Sequence, residues 1–320
     1  MGFVVSSLSN YTKDNAEKLI VDSMFSAKFL AAGYAKGNVQ TGIKTAERIH
    51  LFDTDVYFQD DSGCGFTSTG NTTFTARTIT VGAIKHNESI CPKDLKPKYT
   101  QVLLRNGSLS ESEASDKLAQ EWTDLKAKKV AEVLEVAAVQ GDTDSGNPNL
   151  NKFDGLLKVA SISAGAIQAN TAALMGGSAA TSFTTSNIRT AVDAVWRSLP
   201  EGVKGKDDVE IMIGTDLFDL YTASLVAANL FHYMPTEAQK YELIIPGTGY
   251  KLVGYPGFSG SNKIVGARWE NIYFGTDLAN EEEEFELWYS QDDQNVKLKI
   301  AFKFGVQVAK PSEVVRFDLA

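Results

Sequence analysis

The sequence is poor in the residues that most often carry catalysis, bind metals or form disulfide bonds. Its 320 residues include two cysteines, Cys64 and Cys91, and three histidines, His50, His86 and His232. So few cysteines exclude a disulfide scaffold and favour folding in a reducing compartment, where both thiols stay free. The histidines are far apart in sequence and form no pair at metal-ligand spacing. We therefore assign no catalytic, cofactor-binding or metal-binding role to them.

Long apolar runs and an excess of basic charge are also lacking. No apolar run reaches the about 18–20 residues that a membrane-spanning helix requires. The first basic residue, Lys13, follows the apolar N-terminal stretch, the reverse of the order in a secretory signal. The 31 basic and 40 acidic side chains give a net charge of −9, which argues against a protein whose main task is to grip nucleic acid. We expect no membrane contact and no sequence-specific DNA binding.

The composition supports a folded chain that begins with a helix. Hydrophobic residues make up 43% of the sequence and charged residues 22%, which excludes an intrinsically disordered protein. Between residues 14 and 32 apolar side chains recur at three- and four-residue steps, which predicts an amphipathic helix. We expect Gly33 and Gly37 to end this helix through a left-handed turn.

Residues 110–140 predict a second, longer helix, about 45 Å in length. Ser110 and Glu113 have the spacing of a capping box at its start, and Gly141 is placed to stop it. Its predicted apolar stripe comprises Leu118, Trp122, Leu125, Val130, Val133, Leu134 and Ala137. A helix of this length is a spine for the structure around it.

The region between residues 43 and 90 predicts a β-ribbon. It is rich in Thr, Phe, Val and Ile, and residues 72–81 have strong β character with little alternation of apolar and polar side chains. Gly70-Asn71 is a plausible hairpin turn. Because the ribbon has no continuous apolar face, we expect it to project and to pack on something else. The alternative is an ordinary surface hairpin folded back on its own domain.

The second half of the chain predicts an α/β unit followed by long strands. Residues 209–214 are typical of a buried strand, and a helix capped by Thr215 or Asp216 follows. Residues 296–308 alternate apolar and polar side chains at every second position, which predicts a strand with one buried face. Residues 286–290 are expected to be its hairpin partner.

Only two pairs of acidic residues suggest a metal-binding site. Asp142 and Asp144 have the spacing of the first ligands of a calcium loop, but the glycine is one position early and Phe153 stands where the bidentate glutamate belongs. Asp53 and Asp55 could hold a divalent metal, although no partner motif supports them. A soluble metal-dependent α/β enzyme that uses Asp53, Asp55 or Asp142 therefore remains an alternative function.

The order of these parts resembles the major capsid proteins of tailed double-stranded DNA bacteriophages, which have the Hong Kong ninety-seven fold. The resemblance covers nearly the whole chain and is most specific near the C-terminus, in Asn271-Ile272-Tyr273-Phe274-Gly275-Thr276-Asp277, Trp288-Tyr289 and Phe304-Gly305-Val306-Gln307-Val308 before Pro311 and Val314. It implies an α+β fold with an N-terminal arm, an extended β-loop, a peripheral domain built on the spine helix and an axial α/β domain. Encapsulin nanocompartments share this fold and are the alternative of the same class.

The resemblance also implies domain boundaries. The expected segments are an N-terminal arm and entry helix (1–45), an extended loop with flanking strands (46–95), a peripheral domain (96–165), an axial domain (166–270) and C-terminal strands that complete the peripheral domain (271–320).

The implied function is structural: self-assembly, as hexamers and pentamers, into an icosahedral head shell that encloses packaged DNA. The implied partners are scaffolding and portal proteins and, in some phages, decoration proteins. The location is the virion, after assembly in the bacterial cytoplasm. No enzymatic activity and no cofactor are expected. On this basis the extended loop is predicted to contact an adjacent subunit through Phe66, Phe74, Ile79 and Val81.

Overall fold

The computed structural model describes residues 19, 24–60, 68–91, 111–230, 240–277, 284–290, 292–293 and 295–320. Its α-helices are α1 (Lys28–Lys36), α2 (Glu111–Gln140), α3 (Leu156–Val159), α4 (Ala172–Met175), α5 (Ile188–Arg197) and α6 (Thr215–Ala227). Its strands are β1 (Asn38–Gln40), β2 (Ala46–Thr54), β3 (Thr72–Thr80), β4 (Gly82–Ile90), β5 (Ile167–Gln168), β6 (Val209–Gly214), β7 (Glu242–Ile244), β8 (Lys251–Tyr255), β9 (Lys263–Arg268), β10 (Ile272–Thr276), β11 (Glu284–Ser290), β12 (Asn295–Val308) and β13 (Val315–Asp318). Short 3-10 helices cover Ile162–Ala164, Pro256–Phe258, Trp269–Asn271 and Pro311–Glu313. None of the helices in these ranges is long and apolar enough to cross a membrane.

One sheet is organised around β12, the strand predicted from the alternating C-terminal pattern. Its order is β1-β10-β12-β11, and β4 pairs antiparallel with β12 as well. The side chains of β12 alternate between buried and half-buried positions along most of its length. The predicted strand and its hairpin partner β11 are confirmed, because a period of two places one face of β12 in the core.

A second sheet has the order β5-β13-β9-β6-β8-β7 and carries α5 and α6. Every residue of β6 is buried, which confirms the buried strand predicted there. The last strand, β13, pairs antiparallel with β9 in this sheet. The predicted division into domains, with residues 271–320 completing the peripheral domain, stays a prediction. Arg316 of β13 is buried and donates hydrogen bonds to the carbonyl oxygens of Leu157 (2.6 Å) and Ala160 (3.1 Å).

The spine helix α2 is confirmed, and the N–H of Gly141 donates to the Ala137 carbonyl at its end (2.7 Å). The predicted stripe is wrong at Leu125 and Val133, whose side chains are exposed. The buried line instead follows one helical face through Ala127, Ala131, Leu134 and Ala138. Small alanines allow close packing there, and a search for large apolar residues underweights them. Ser110 lies outside the described residues.

The prediction for the first helix is wrong about its glycines. Gly33 lies inside α1, and a Cβ placed on it would be 2.5 Å from the Phe274 ring, so this glycine permits close packing instead of ending the helix. Gly37 does follow the helix, but with a φ of −88° it is in ordinary extended backbone and makes no left-handed turn. Of the predicted segment before α1, the structure describes residues 19 and 24–27 only.

Strands β2 and β3 form a separate antiparallel pair, called the ribbon from here on. The predicted turn at Gly70-Asn71 is wrong: the N–H of Asp55 donates to the Asn71 carbonyl (2.9 Å), so these residues continue the ladder. The chain reverses between residues 55 and 71, because the partner of β3 is the earlier strand β2.

Candidate assembly surface

The base of the ribbon is anchored in its own chain. Ile49 of β2 and Ile79 of β3 are buried in a small apolar cluster with Ile43 and Ala309. Gly275 of β10 lies against this cluster, and a Cβ placed on it would be only 2.9 Å from Ile79 Cδ1. The base is therefore packed tightly on the five-stranded sheet, which fixes the direction in which the outer half extends.

The outer half of the ribbon carries large apolar side chains that its own chain leaves exposed. Phe52 and Phe74 are directly opposite each other, with ring centroids 5.1 Å apart at 82°, and are 64% and 74% exposed. Val56, Tyr57 and Phe58 follow β2 and are also exposed, Phe58 completely. We call these five residues the ribbon tip. Scattered exposed apolar residues are ordinary, but such a group on one projecting element marks an interaction site.

The four residues predicted to contact a neighbouring subunit have different environments in the structure. Phe74 belongs to the ribbon tip and is available to a partner. Ile79 is completely buried in its own chain, so its predicted role between subunits is wrong. It packs in the same apolar cluster as Ile49 at the ribbon base. Val81 is half-buried against the same cluster, and its role stays a prediction. Phe66 lies outside the described residues.

Sequence reasoning missed Phe52, Val56, Tyr57 and Phe58. A usable signal was the run Val56-Tyr57-Phe58 immediately after a strand, where a connection in a single folded chain is normally polar. Phe52 indicates an interaction site only if it is known to lie opposite Phe74. That pairing depends on the register of β2 and β3.

The other face of the ribbon borders a groove of about 440 Å³, which we call the ribbon groove. It lies between the ribbon and the 3-10 helix Pro311–Glu313 and is lined by Leu51, Asp53, Thr73, Thr75, Arg77, Ala309, Lys310, Pro311, Ser312 and Glu313. Because successive strand residues point to opposite faces, the groove and the Phe52–Phe74 pair lie on opposite sides of the ribbon.

The acidic loop that resembles a calcium site already contains a cation from its own chain. The Lys158 Nζ lies 2.6 Å from Asp142, 2.8 Å from Asp144 and 3.0 Å from Asp154. Hydrogen bonds to these carboxylates raise the pKa of Lys158, and the hydrogen bond from Lys158 lowers the pKa of Asp142. Within the described part of the chain, no group of three or more His, Cys, Asp and Glu side chains is arranged to hold a metal ion.

A buried polar junction joins the helices α1 and α2 to the six-stranded sheet. Glu135 of α2 accepts hydrogen bonds from the N–H groups of Phe29 (3.2 Å) and Gly257 (3.4 Å), and burial raises its pKa. The hydroxyl of Tyr255 donates to Glu210 (3.0 Å), and burial, with Glu210 adding to it, raises the pKa of Tyr255. A buried carboxyl with a raised pKa is often catalytic, but Glu135 is covered by α1 and is 3% exposed, so a substrate has no access to it.

Comparison with known proteins gives structural matches only. No family model matches the sequence, and no curated protein matches it. A chain from the satellite phage P4 procapsid that includes the size determination protein is similar over 96% of this chain and 90% of that one, with a TM-score of 0.59 and 12% identity. The capsid of a native GTA particle covers 91% and 90%, with a TM-score of 0.54 and 13% identity. A structure from Microbacterium phage Oxtober96 covers 89% and 90%, with a TM-score of 0.53 and 14% identity.

The likeness extends over nearly the whole of each chain. At these identities it establishes the fold alone. The chain has the α+β capsid fold of these particles, the Hong Kong ninety-seven fold that the order of its elements predicts.

Proposed function

We propose that this chain is the major capsid protein of a tailed double-stranded DNA bacteriophage, whose copies assemble as hexamers and pentamers into an icosahedral head. The observation that carries this proposal is the ribbon. Its base is buried in the chain, whereas its tip exposes five large apolar side chains. A two-stranded ribbon is marginally stable alone, and exposed apolar area is removed from water when a neighbouring copy covers it.

The net charge of the chain favours a protein that encloses DNA over a protein that binds DNA. A net charge of −9 keeps the shell from gripping packaged DNA, since phosphate binding needs concentrated Lys and Arg. The chain therefore encloses DNA without sequence-specific contact and is located in the virion after assembly in the host cytoplasm. Scaffolding and portal proteins, and in some phages decoration proteins, are the partners that such a head requires.

Size-exclusion chromatography and negative-stain microscopy of the purified chain, with and without a scaffolding protein, test the proposal. We expect rings or hollow closed particles. The matched variant replaces residues 52–74 with Asn-Gly, which joins the paired residues Leu51 and Thr75 through a tight turn. This variant should have the same melting temperature as the original monomer and should form no closed particle. A deletion that continued to Ser89 would be uninformative, because it would remove β4 from the β12 sheet.

Two results would contradict the proposal: an original chain that stays monomeric under every condition, or normal particles from the shortened ribbon. An encapsulin shell shares the fold, so particle shape does not separate the two. Particles isolated from the native source should contain double-stranded DNA if the chain forms a phage head, and a protein cargo if it forms a nanocompartment.

A further inference from the structure

Tyr241 has a backbone conformation that a tyrosine rarely adopts. Its φ of 60° lies in the left-handed region, which costs free energy for a bulky side chain and persists only where the surroundings hold it. Tyr241 directly precedes β7, the edge strand of the six-stranded sheet. The strain is therefore located at the point where the chain enters that edge.

Two donors hold the Tyr241 carbonyl in this orientation. The N–H of Gly254, in β8, donates to it at 2.8 Å, and the Lys28 Nζ donates to it at 3.4 Å. The tyrosine ring packs edge-on against Phe218 of α6, with ring centroids 5.5 Å apart. A Cβ on Gly254 would be 3.2 Å from the Cβ atoms of Tyr241 and Phe218, so a glycine in β8 makes room for this arrangement.

Lys28 reaches this point from α1, outside the sheet. Its Nζ also donates to the carbonyl oxygens of Lys240 (3.2 Å) and Gly254 (3.3 Å) and lies 3.6 Å from a carboxylate oxygen of Glu242. Burial lowers the pKa of Lys28, because its ammonium is partly withdrawn from water. This single ammonium bridges the start of β7 to β8.

Lys28 is unfavourable for its own helix. It is the first residue of α1, where the N-cap residue Ala27 makes no side-chain hydrogen bond and the first turn has no acidic residue. A cation at this end faces the positive end of the helix dipole and weakens the helix. The contacts of Lys28 with β7 and β8 compensate for this position. Docking of α1 and closure of the sheet edge therefore share one side chain.

The edge strand β7 makes few buried contacts of its own. It has three residues and pairs with β8 at the end of the sheet. Of its side chains Leu243 is buried, whereas Ile244 is 58% exposed. Few buried apolar contacts place an element at the low end of local stability. The strand is thus able to open without unfolding the rest of the sheet.

We propose that α1 and β7 form a conformational switch, in which Lys28 holds Tyr241 in its strained conformation and so keeps β7 on the sheet. When the first turn of α1 shifts beyond hydrogen-bond reach, Tyr241 relaxes to a negative φ and its carbonyl turns away from the Gly254 N–H. Strand β7 then separates and leaves β8 as the open edge of the sheet. The coupling is reciprocal, so opening β7 also loosens α1. The switch belongs to the single subunit and does not depend on assembly.

Hydrogen–deuterium exchange of the full chain, measured by mass spectrometry at a concentration below that for assembly, tests the switch. Lys28→Met should accelerate exchange in residues 242–255 by about tenfold or more, because the carbonyl groups at the sheet edge lose a charged donor. The control is Lys240→Met, which removes an exposed ammonium beside β7. Peptides from β12 are the internal reference and should exchange as in the original chain.

A second test acts on the backbone of Tyr241. Tyr241→Ala and Tyr241→Gly both remove the ring, but of the two only glycine adopts a φ of 60° without strain. In the Lys28→Met background, Tyr241→Gly should return exchange in residues 242–255 toward the original rate, and Tyr241→Ala should not. In the chain that retains Lys28, residues 28–37 of α1 should exchange about fivefold faster in Tyr241→Ala than in Tyr241→Gly.

Equal exchange in Lys28→Met and Lys240→Met would overturn the inference, as would equal exchange in the alanine and glycine variants of Tyr241. Faster exchange in the β12 peptides of Lys28→Met would show that Lys28 supports the whole subunit instead of one sheet edge, which also overturns it. The proposed function fails separately, when the original chain makes no particles.

Discussion

Gly305 of β12 lies directly against the carbonyl group of Thr80 at the end of β3, so closely that a Cβ on Gly305 would collide with the carbonyl oxygen. No side chain separates the ribbon base from the central strand. The position of the ribbon relative to the sheet therefore depends on a backbone-to-backbone contact that only glycine permits.

Gly305→Ala should destabilise the subunit by about 1–3 kcal/mol, because the added methyl forces a backbone shift in a packed region. Urea denaturation of the monomer measures this change. The control is Gly146→Ala, since a Cβ at Gly146 meets nothing within 4 Å. Equal stability of the two variants would show that the ribbon base is loosely packed.

Phe52→Ser and Phe74→Ser should leave the melting temperature of the monomer almost unchanged and weaken assembly. Each aromatic anchor at an interface is worth about 2 kcal/mol or more, which raises the critical concentration for assembly by more than about tenfold. Light scattering against protein concentration measures it. Val226→Ser is the control, an exposed apolar position on α6. A similar loss of assembly in Val226→Ser would show that the ribbon tip has no special role.

Lys158→Ala should destabilise the subunit at neutral pH, because three carboxylates lose their shared cation. The pKa of Asp142 is lowered by its hydrogen bond to Lys158 from a usual value near 3.8. The stability it contributes is present above that value and is lost as the pH falls through the lowered pKa. The variant should therefore differ from the original chain at pH 7 and resemble it in strong acid.

Lys129→Ala is the matched control for this loop, because Lys129 forms an ion pair with the exposed Glu132 on α2. Chemical denaturation at both pH values measures each variant. An equal difference at neutral and acidic pH would mean that Lys158 stabilises the loop by packing and not by charge.

Glu135→Gln should become more stable relative to the original chain as the pH rises. Burial raises the pKa of Glu135 above its usual value near 4.5. The stability from its neutral form is thus complete below that value and is lost as the pH rises through the raised pKa. Urea denaturation between about pH 4 and about pH 7 should show the growing difference. A difference that stays constant over this range would contradict the raised pKa of Glu135.

Local patterns were enough to predict β12 and α2, because alternation and helical spacing report directly on burial. They failed where burial depends on distant partners. Ile79 is buried because β10 and the segment around Ala309 meet at the ribbon base. Such a convergence leaves no trace in the sequence near residue 79.

The acidic loop illustrates the same limit. The spacing of Asp142 and Asp144 resembles the start of a calcium loop, but the early glycine and Phe153 argue against one. The structure holds a different cation at this place. The cation is the ammonium of Lys158, which the fold brings beside them. Similarly, sequence reasoning selected Phe74 but missed Phe52, because only the register of β2 and β3 shows that the two form one exposed pair.

The pairing of β4 with β12 has a consequence for synthesis. Most of the chain lies between these two strands, so a nascent polypeptide exposes β4 and the unanchored ribbon until β12 has left the ribosome. Pairing over such a sequence separation folds slowly and leaves strand edges open for a long time. The nascent chain is therefore the stage at which the open edges of β4 and the ribbon are most liable to pair wrongly with another chain.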